Sequence, residues 1–102
     1  MYIVRTSVDN IDSARLISEA LILTHTAVSV HISQVESMHA WDGRLCDIQE
    51  FELSIICNDL NKTKEIIMDY HNYQLPEFIY HEVKSSTEIK NWCDDWCKGE
   101  SK

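Results

Sequence analysis

One short stretch decides the fold of this chain: residues 37–45, with the sequence SMHAWDGRL. Asp42-Gly43 between two runs of strand-forming residues is a strong signal for a two-residue β-hairpin turn. Before the turn, residues 27–39 alternate between apolar and polar side chains with the period of two that is typical of a strand. After the turn, residues 45–57 alternate in the same way. We therefore predict two long antiparallel strands that form one β-ribbon.

The returning strand of this ribbon has two different faces. Its predicted core face carries Phe51, Leu53, Ile55 and Cys57, and its other face carries Glu50, Glu52, Ser54 and Ile56. Asp47, Glu50 and Glu52 also form a run of carboxylates, which could collect cations or repel one another at a trimer axis. Because an antiparallel ribbon commonly leaves one face in water, we interpret this run as a solvated strand face.

The flanking elements follow from periodicity and from signals for helix ends. Strands are predicted at residues 2–7 and 78–83, and helices at residues 10–23 and 62–70, the second with Ile66, Ile67 and Tyr70 as apolar contacts. A third helix begins with a capping box of Ser85 and Glu88 and carries an apolar stripe of Ile89, Trp92 and Trp96. The order β-α-β-β-α-β plus a C-terminal helix predicts an α+β, ferredoxin-like fold with one antiparallel sheet.

The composition favours one folded domain that spans residues 1–102. Hydrophobic residues make up 44% of the chain and three residues are Trp, as expected of a globular domain. The net charge is −8, from 17 acidic and 9 basic side chains. A field of this sign repels nucleic acids and anionic membranes and attracts cations. We therefore expect no nucleic-acid or membrane partner, while solubility alone also accounts for an acidic surface.

The N-terminal residues do not resemble a secretion signal. Their apolar run is interrupted by Arg5, whereas a signal needs basic residues followed by a longer apolar stretch. No apolar run approaches the ~20 residues of a membrane span. We expect a cytoplasmic protein whose cysteines remain reduced thiols, namely Cys46, Cys57, Cys93 and Cys97.

Residues 71–77, HNYQLPE, gather the side chains best suited to hold a ligand. His71 and Glu77 could bind a divalent cation or orient a small ligand at a seam between subunits, and His71 is the best single metal candidate. The alternative is structural. In that case Tyr73 packs, Pro76 sets a bend, and His71 and Glu77 bond to the backbone or to another subunit.

The helical pair Cys93 and Cys97 lies one turn apart and could hold Cu(I) or Zn, but two ligands are too few for a structural site. Packing beside Trp92 and Trp96 is the simpler interpretation, because free cysteines are often buried. The sequence places no base beside a nucleophile, and its two glycines cannot form a Gly-rich phosphate loop. We expect a binding protein and not an enzyme.

The hairpin and the segment 71–77 together resemble a known family. Residues 37–45 are similar to a serine-apolar-tyrosine-x-tryptophan-x-glycine-lysine-apolar hairpin, and residues 71–77 to a histidine-proline-tyrosine-x-x-proline-glutamate segment. Glu50 and Trp92 fall where that family has glutamate and tryptophan. The chain departs from the pattern at His39, Ile56 and Asn72, where tyrosine, lysine and proline are usual. On these motifs it is identified as a divergent member of the CutA family of divalent-cation tolerance proteins.

The resemblance implies a PII-like homotrimer that binds a divalent metal ion (copper, zinc or a similar ion) or a small effector at subunit interfaces. His71 and Glu77 are the candidate metal ligands on their own chemistry, since the departures from the family pattern weaken any transfer of a metal role, and the motifs place Trp41, Glu50, Tyr73 and Pro76 at the interface or pocket. Trp41 at the ribbon tip also suits an interface anchor, and the edges of so long a ribbon invite association. The alternative is a trimeric scaffold or signalling module that docks onto a partner protein and has no metal role.

Overall fold

A computed structural model describes residues 1–99 and confirms the predicted α+β architecture. The elements are β1 Tyr2–Val8, α1 Ile11–Leu23, β2 Ala27–Trp41, β3 Arg44–Cys57, α2 Leu60–Tyr70, β4 Ile79–Glu82 and α3 Thr87–Cys97. The four strands form one antiparallel sheet in the order β2-β3-β1-β4, which is the ferredoxin-like arrangement. Within residues 1–99, no helix has the length and apolar character needed to cross a bilayer.

The predicted ribbon is present, and its free end projects beyond the rest of the sheet. β2 and β3 pair from Ala27 with Cys57 to Trp41 with Arg44, with one β-bulge between Ala27 and Ser29. β1 covers β3 only as far as Phe51, so the part of β3 before Phe51 pairs with β2 alone. The molecule therefore measures 45 × 24 × 22 Å.

The turn at the ribbon tip explains the Asp-Gly signal. Asp42 has φ 53° and Gly43 has φ 72°, so both central residues adopt the left-handed conformation. A two-residue turn with positive φ at both positions is of type I′, whose twist matches that of the two strands it joins. The turn consequently fixes the register of Trp41 opposite Arg44.

The core lies between the sheet and the helices α1 and α2. Its fully buried members are Val4, Val8, Ala14, Ile17, Leu21, Ala27, Leu53, Ile55, Cys57 and Ile67. The predicted core face of β3 is confirmed, since Leu53, Ile55 and Cys57 are buried and Phe51 packs partly against them. Within residues 1–99, every buried apolar residue of β3 lies on this core face. The opposite face of the strand therefore adds nothing to the core.

The two core helices begin at side-chain caps. The Asn10 side chain accepts a hydrogen bond from the Ser13 amide at 2.8 Å, and the Asp59 side chain accepts one from the Lys62 amide at 3.0 Å. These contacts satisfy backbone donors that have no partner within the helix. Tyr70, predicted to pack, is 45% exposed at the end of α2, so that prediction was wrong.

The third helix also differs from the prediction. Its cap is Ser86 and not Ser85, because the Ser86 hydroxyl accepts from the Ile89 amide at 3.3 Å. Its inner face is formed by Cys93, Trp96 and Cys97, whereas Ile89 and Trp92 are 39% and 40% exposed. The Trp96 indole donates to the Ile22 carbonyl at 3.2 Å and so attaches α3 to the end of α1. Two members of the predicted stripe are therefore on the outside.

Candidate functional site

The segment that joins α2 to β4, residues 71–78, folds against the projecting ribbon and borders an open cavity of about 490 Å³ that runs along the ribbon as far as Trp41. We call this space the Glu50 cavity. Its walls combine three carboxylates (Asp9, Glu50, Glu77), two aromatic rings (Trp41, Tyr73) and two aliphatic side chains (Ile48, Leu75). Among the described residues, neither Lys nor Arg lines it. The cavity is thus an acidic space with partly apolar walls.

The cavity lies on the face of the sheet away from α1 and α2. Ile48 and Glu50 alternate along β3 with the core residues Leu53 and Ile55, so they point to the other side. Trp41 belongs to the same face, because it pairs with Arg44, an even-numbered residue like Ile48 and Glu50. The cavity therefore does not share a face with the hydrophobic core.

Glu50 is the buried carboxylate of the site. Its exposed fraction is 6%, so the interpretation of this position as part of a solvated face was wrong. The Tyr73 hydroxyl donates to Glu50 Oε2 at 2.6 Å, a short hydrogen bond to a charged acceptor. The pKa of Tyr73 is raised because the ring is partly buried and because the Glu50 carboxylate opposes a second negative charge. No ion pair to Glu50 occurs within residues 1–99, which leaves its charge without a counterion there.

His71 holds the start of this segment to the body. Its Nε2 lies 2.8 Å from the Ser7 carbonyl oxygen and must donate, while its Nδ1 accepts from the Tyr73 amide at 3.2 Å. These two contacts define a neutral ring with the proton on Nε2. Burial lowers the pKa of His71, and the bond to Ser7 opposes that effect only in part.

The two predicted metal ligands, His71 and Glu77, have different surroundings. Both ring nitrogens of His71 are occupied, so a metal ion could reach the ring only by displacing one of these hydrogen bonds. Glu77 is exposed and lines the cavity. Within residues 1–99 no group of three or more His, Cys, Asp and Glu side chains is arranged to hold a metal ion. The assignment of His71 and Glu77 as ligands stays a prediction.

The four predicted pocket residues lie along this elongated cavity or in the segment that covers it. Trp41, Glu50 and Tyr73 line the cavity, and Pro76 is half-buried in the segment that covers it. The sequence analysis missed Asp9, whose carboxylate accepts from Asn10 at 2.8 Å and from Asn72 at 3.4 Å. The sequence offered one signal for it, because Asp9 directly follows the first predicted strand. In the structure the last residue of β1 pairs with Phe51, next to Glu50, and this pairing brings Asp9 to the cavity.

The cysteines of the body form a separate group at the other end of the molecule. Cys57 and Cys93 are fully buried, and the Cys97 thiol donates to the Thr26 carbonyl at 3.6 Å. Burial is the largest cause that raises the pKa of all three thiols, to about 12 for Cys93. This arrangement agrees with the packing interpretation of Cys93 and Cys97, since protonated thiols are weak ligands and weak nucleophiles.

The comparisons with known proteins agree with this fold. Residues 2–96 match the family model of the CutA1 divalent ion tolerance protein. The divalent cation tolerance protein CutA1 of Thermus thermophilus is 27% identical, with a TM-score of 0.85 over 90% of this chain and 94% of that one. CutA of Xylella fastidiosa is 26% identical, with a TM-score of 0.89 over 94% and 96%. No curated protein sequence matches significantly.

A third solved structure links the fold to a wider group. The PII-like protein CutA of Nostoc sp. PCC 7120 is 26% identical, with a TM-score of 0.80 over 92% of this chain and 91% of that one. The family match covers nearly all of the described residues, including the hairpin and the segment 71–78 that bound the cavity. The chain therefore belongs to the CutA1 family of divalent ion tolerance proteins.

Proposed function

We propose that this protein is a homotrimer that binds a cation, either a divalent metal ion or a small cationic effector, in the Glu50 cavity at the interface between subunits. The observation that carries the proposal is the buried Glu50 carboxylate, which has no counterion among residues 1–99 and faces a cavity of about 490 Å³. A buried charge is costly unless it is paired. A bound cation would supply the partner that the described chain lacks.

The projecting ribbon supports the homotrimer. Its outer part exposes large apolar side chains, with Leu45 77% and Met38 69% exposed. β2 and β4 are the two edges of the sheet, so their outer backbone groups are available for pairing with another chain. Three copies that close around one another would cover both features. The Nostoc relative is described as PII-like, which is consistent with this assembly.

The charge of the cavity supports a cationic ligand. Asp9, Glu50 and Glu77 contribute three carboxylates, and the chain as a whole carries a net charge of −8. Several carboxylates that line one cleft give it a negative potential, which raises the local concentration of cations. The family description, a divalent ion tolerance protein, is consistent with a cation as the ligand.

We propose binding without catalysis and a cytoplasmic location. The raised pKa values of Cys57, Cys93 and Cys97 keep these thiols protonated near neutral pH, which favours a packing role over nucleophilic chemistry. The cysteines are unpaired in the structure, as is usual for proteins of reducing compartments.

The test combines mass and calorimetry on the native protein. We expect a solution mass of three times the 11.9 kDa chain, and heat on titration with Zn(II), Cu(II) or a small organic cation. Glu50→Gln should abolish that heat, while Glu52→Gln, the same charge change two residues along the same strand face, should keep it. A monomer at micromolar concentration would contradict the assembly, and absence of heat with every cation would contradict the binding function.

A further inference from the structure

We infer that the ligand of the Glu50 cavity is an organic ammonium ion with a small apolar body, and not a bare metal ion. This inference rests on the proposed cation-binding function and names the chemical class of the cation. It follows from the size of the cavity, from the hydrogen bonds that its polar atoms already make, and from the apolar side chains in its walls.

The volume is the first argument. The cavity measures about 490 Å³. Pockets for small organic ligands range from about 300 to 1,000 Å³, whereas one water molecule takes about 30 Å³ of liquid. A single metal ion would leave most of this space to water. An organic cation of five to ten heavy atoms would fill several times more of it than a bare ion does.

The polar atoms are the second argument. A protein metal site needs several ligands that converge on one point, usually four or more including water. Here one oxygen of Glu50 already accepts a hydrogen bond from the Tyr73 hydroxyl, and both nitrogens of His71 are hydrogen-bonded within the chain. No convergent group of three or more His, Cys, Asp and Glu side chains occurs in the described chain. The remaining oxygen of Glu50 suits one N–H donor or one alkylated ammonium group better than a metal.

The walls are the third argument. Tyr73 presents its aromatic ring beside Glu50, Ile48 and Leu75 present aliphatic carbon to the same cavity, and Trp41 lies farther along it, toward the ribbon tip. Aromatic faces attract ammonium ions, and they do so most strongly where water is excluded. The ligand's charged group would lie at Glu50 and its carbon atoms along Ile48 and Leu75. A hydrated metal ion would gain nothing from these apolar walls.

The experiment is calorimetric titration of the native protein with two ammonium ions and their uncharged counterparts. The pairs are butylammonium with butan-1-ol, and choline with 3,3-dimethylbutan-1-ol, which match in shape and differ in charge. Zn(II) is titrated in parallel. We expect both ammonium ions to bind at least about tenfold more tightly than their counterparts, because only the charged member of each pair is attracted by the Glu50 carboxylate.

Variants locate the binding site. Glu50→Gln keeps the shape of the side chain and an oxygen for the Tyr73 hydroxyl but removes the charge that attracts the ammonium group, so it should weaken choline binding by about tenfold or more. Glu52→Gln is the matched control and should bind as the native protein does. Glu77→Gln, at an exposed position of the cavity wall, should weaken binding to a smaller degree and keeps the test decisive if Glu50→Gln does not fold.

The outcomes separate this inference from the function on which it rests. Binding of Zn(II) without binding of either ammonium ion would overturn the ammonium assignment and leave the cation-binding function standing. Equal affinity for the charged and uncharged members of a pair would also overturn it. Unchanged ammonium binding in both Glu50→Gln and Glu77→Gln would show that the cavity is not the site. Failure of all cations to bind would overturn the proposed function itself.

Discussion

The two ends of the β2–β3 ribbon have the same alternating pattern but different surroundings. Near the base, Leu53 and Ile55 are 0% exposed, because α1 and α2 cover that face of the sheet. Near the tip, Leu45 is 77% and Met38 is 69% exposed, because β1 and the helices do not reach that far. A strand pattern thus specifies which side chains share a face, while burial requires another layer. We expect a second copy of the chain to supply that layer at the tip.

The largest effect is expected from a charge placed at the tip. Trp41, 44% exposed, should anchor the neighbouring subunit, so Trp41→Asp should reduce the solution mass from three chains toward the 11.9 kDa of one. Sedimentation at micromolar concentration measures this directly. Leu16→Asp is the control, since Leu16 on α1 has a similar exposure of 50% but lies away from the ribbon.

This pair of variants tests whether the ribbon tip is the assembly surface. If Trp41→Asp still sediments with the native mass, the tip is not the assembly surface and its exposed apolar residues need another explanation. If Leu16→Asp dissociates instead, the assembly uses the helical side of the molecule.

The next effect is a difference between two leucines of β3. In the Trp41→Asp background, where the tip is uncovered, Leu53→Ala should lower the free energy of unfolding by about 2–5 kcal/mol because it leaves a cavity in the core. Leu45→Ala in the same background should change it by no more than about 0.5 kcal/mol, as is usual for surface positions. Urea denaturation at one fixed protein concentration measures both. Similar losses for the two variants would mean that the tip is already packed in a single chain.

A smaller effect is expected at the junction between base and tip. Tyr73→Phe removes the donor of the 2.6 Å bond to Glu50 and leaves a buried carboxylate less satisfied. The free energy of unfolding should fall by about 1–3 kcal/mol, again measured by urea denaturation. Tyr80→Phe is the matched control, because Tyr80 is 51% exposed on β4, and it should have almost no effect. An equal loss in both variants would argue against a specific role for the Tyr73 hydroxyl.

The smallest effect concerns pH. The pKa of His71 is lowered in the folded protein from an ordinary value of about 6.5, so the unfolded chain takes up a proton at a higher pH than the folded chain. The contribution of neutral His71 to stability is therefore fully present above pH 6.5 and is lost as the pH falls toward the lower folded value. Urea denaturation between pH 7.5 and about 5.5 should show a steeper loss for the native chain than for His71→Gln.

The control for this prediction is His31→Gln. His31 is exposed on β2, so its replacement should leave the pH dependence of the native chain unchanged. A His71→Gln variant with the native pH dependence would show that His71 does not titrate differently in the folded and unfolded chains.

The elements that were predictable from sequence depend on neighbouring residues. Alternation over residues 45–57 placed Leu53 and Ile55 in the core, and Asp42-Gly43 gave the turn, because strand faces and type I′ turns are determined within a few positions. The placement of Tyr73 at an interface or pocket came from the family resemblance and not from a local pattern, and in the structure Tyr73 lines the Glu50 cavity.

The features that were missed depend on distant contacts. The alternation of β3 put Glu50 on a solvated face, and only the family resemblance placed it in a pocket. Its burial comes from Tyr73 and the neighbours of Tyr73, which follow it by more than twenty positions, and no local pattern contains that information. On α3 the hydrophobic side chain of Trp92 suggested an inner position, but the helix approaches β2 and β3 through the smaller Cys93. The choice between Ser85 and Ser86 as the cap depended on where the chain leaves β4, which two adjacent serines do not reveal.

The bulge at the base of β2 sets which face of the projecting ribbon each later side chain occupies. Val28 is the extra residue there, between Ala27 opposite Cys57 and Ser29 opposite Ile56. Inserting or deleting one residue beyond this point would turn every following side chain to the opposite face, and Trp41 would leave the side that carries Glu50. Adding two residues to each strand keeps both faces and lengthens the ribbon by about 7 Å. Lengthening this arm while keeping Trp41 on the side of Glu50 therefore takes residues in pairs.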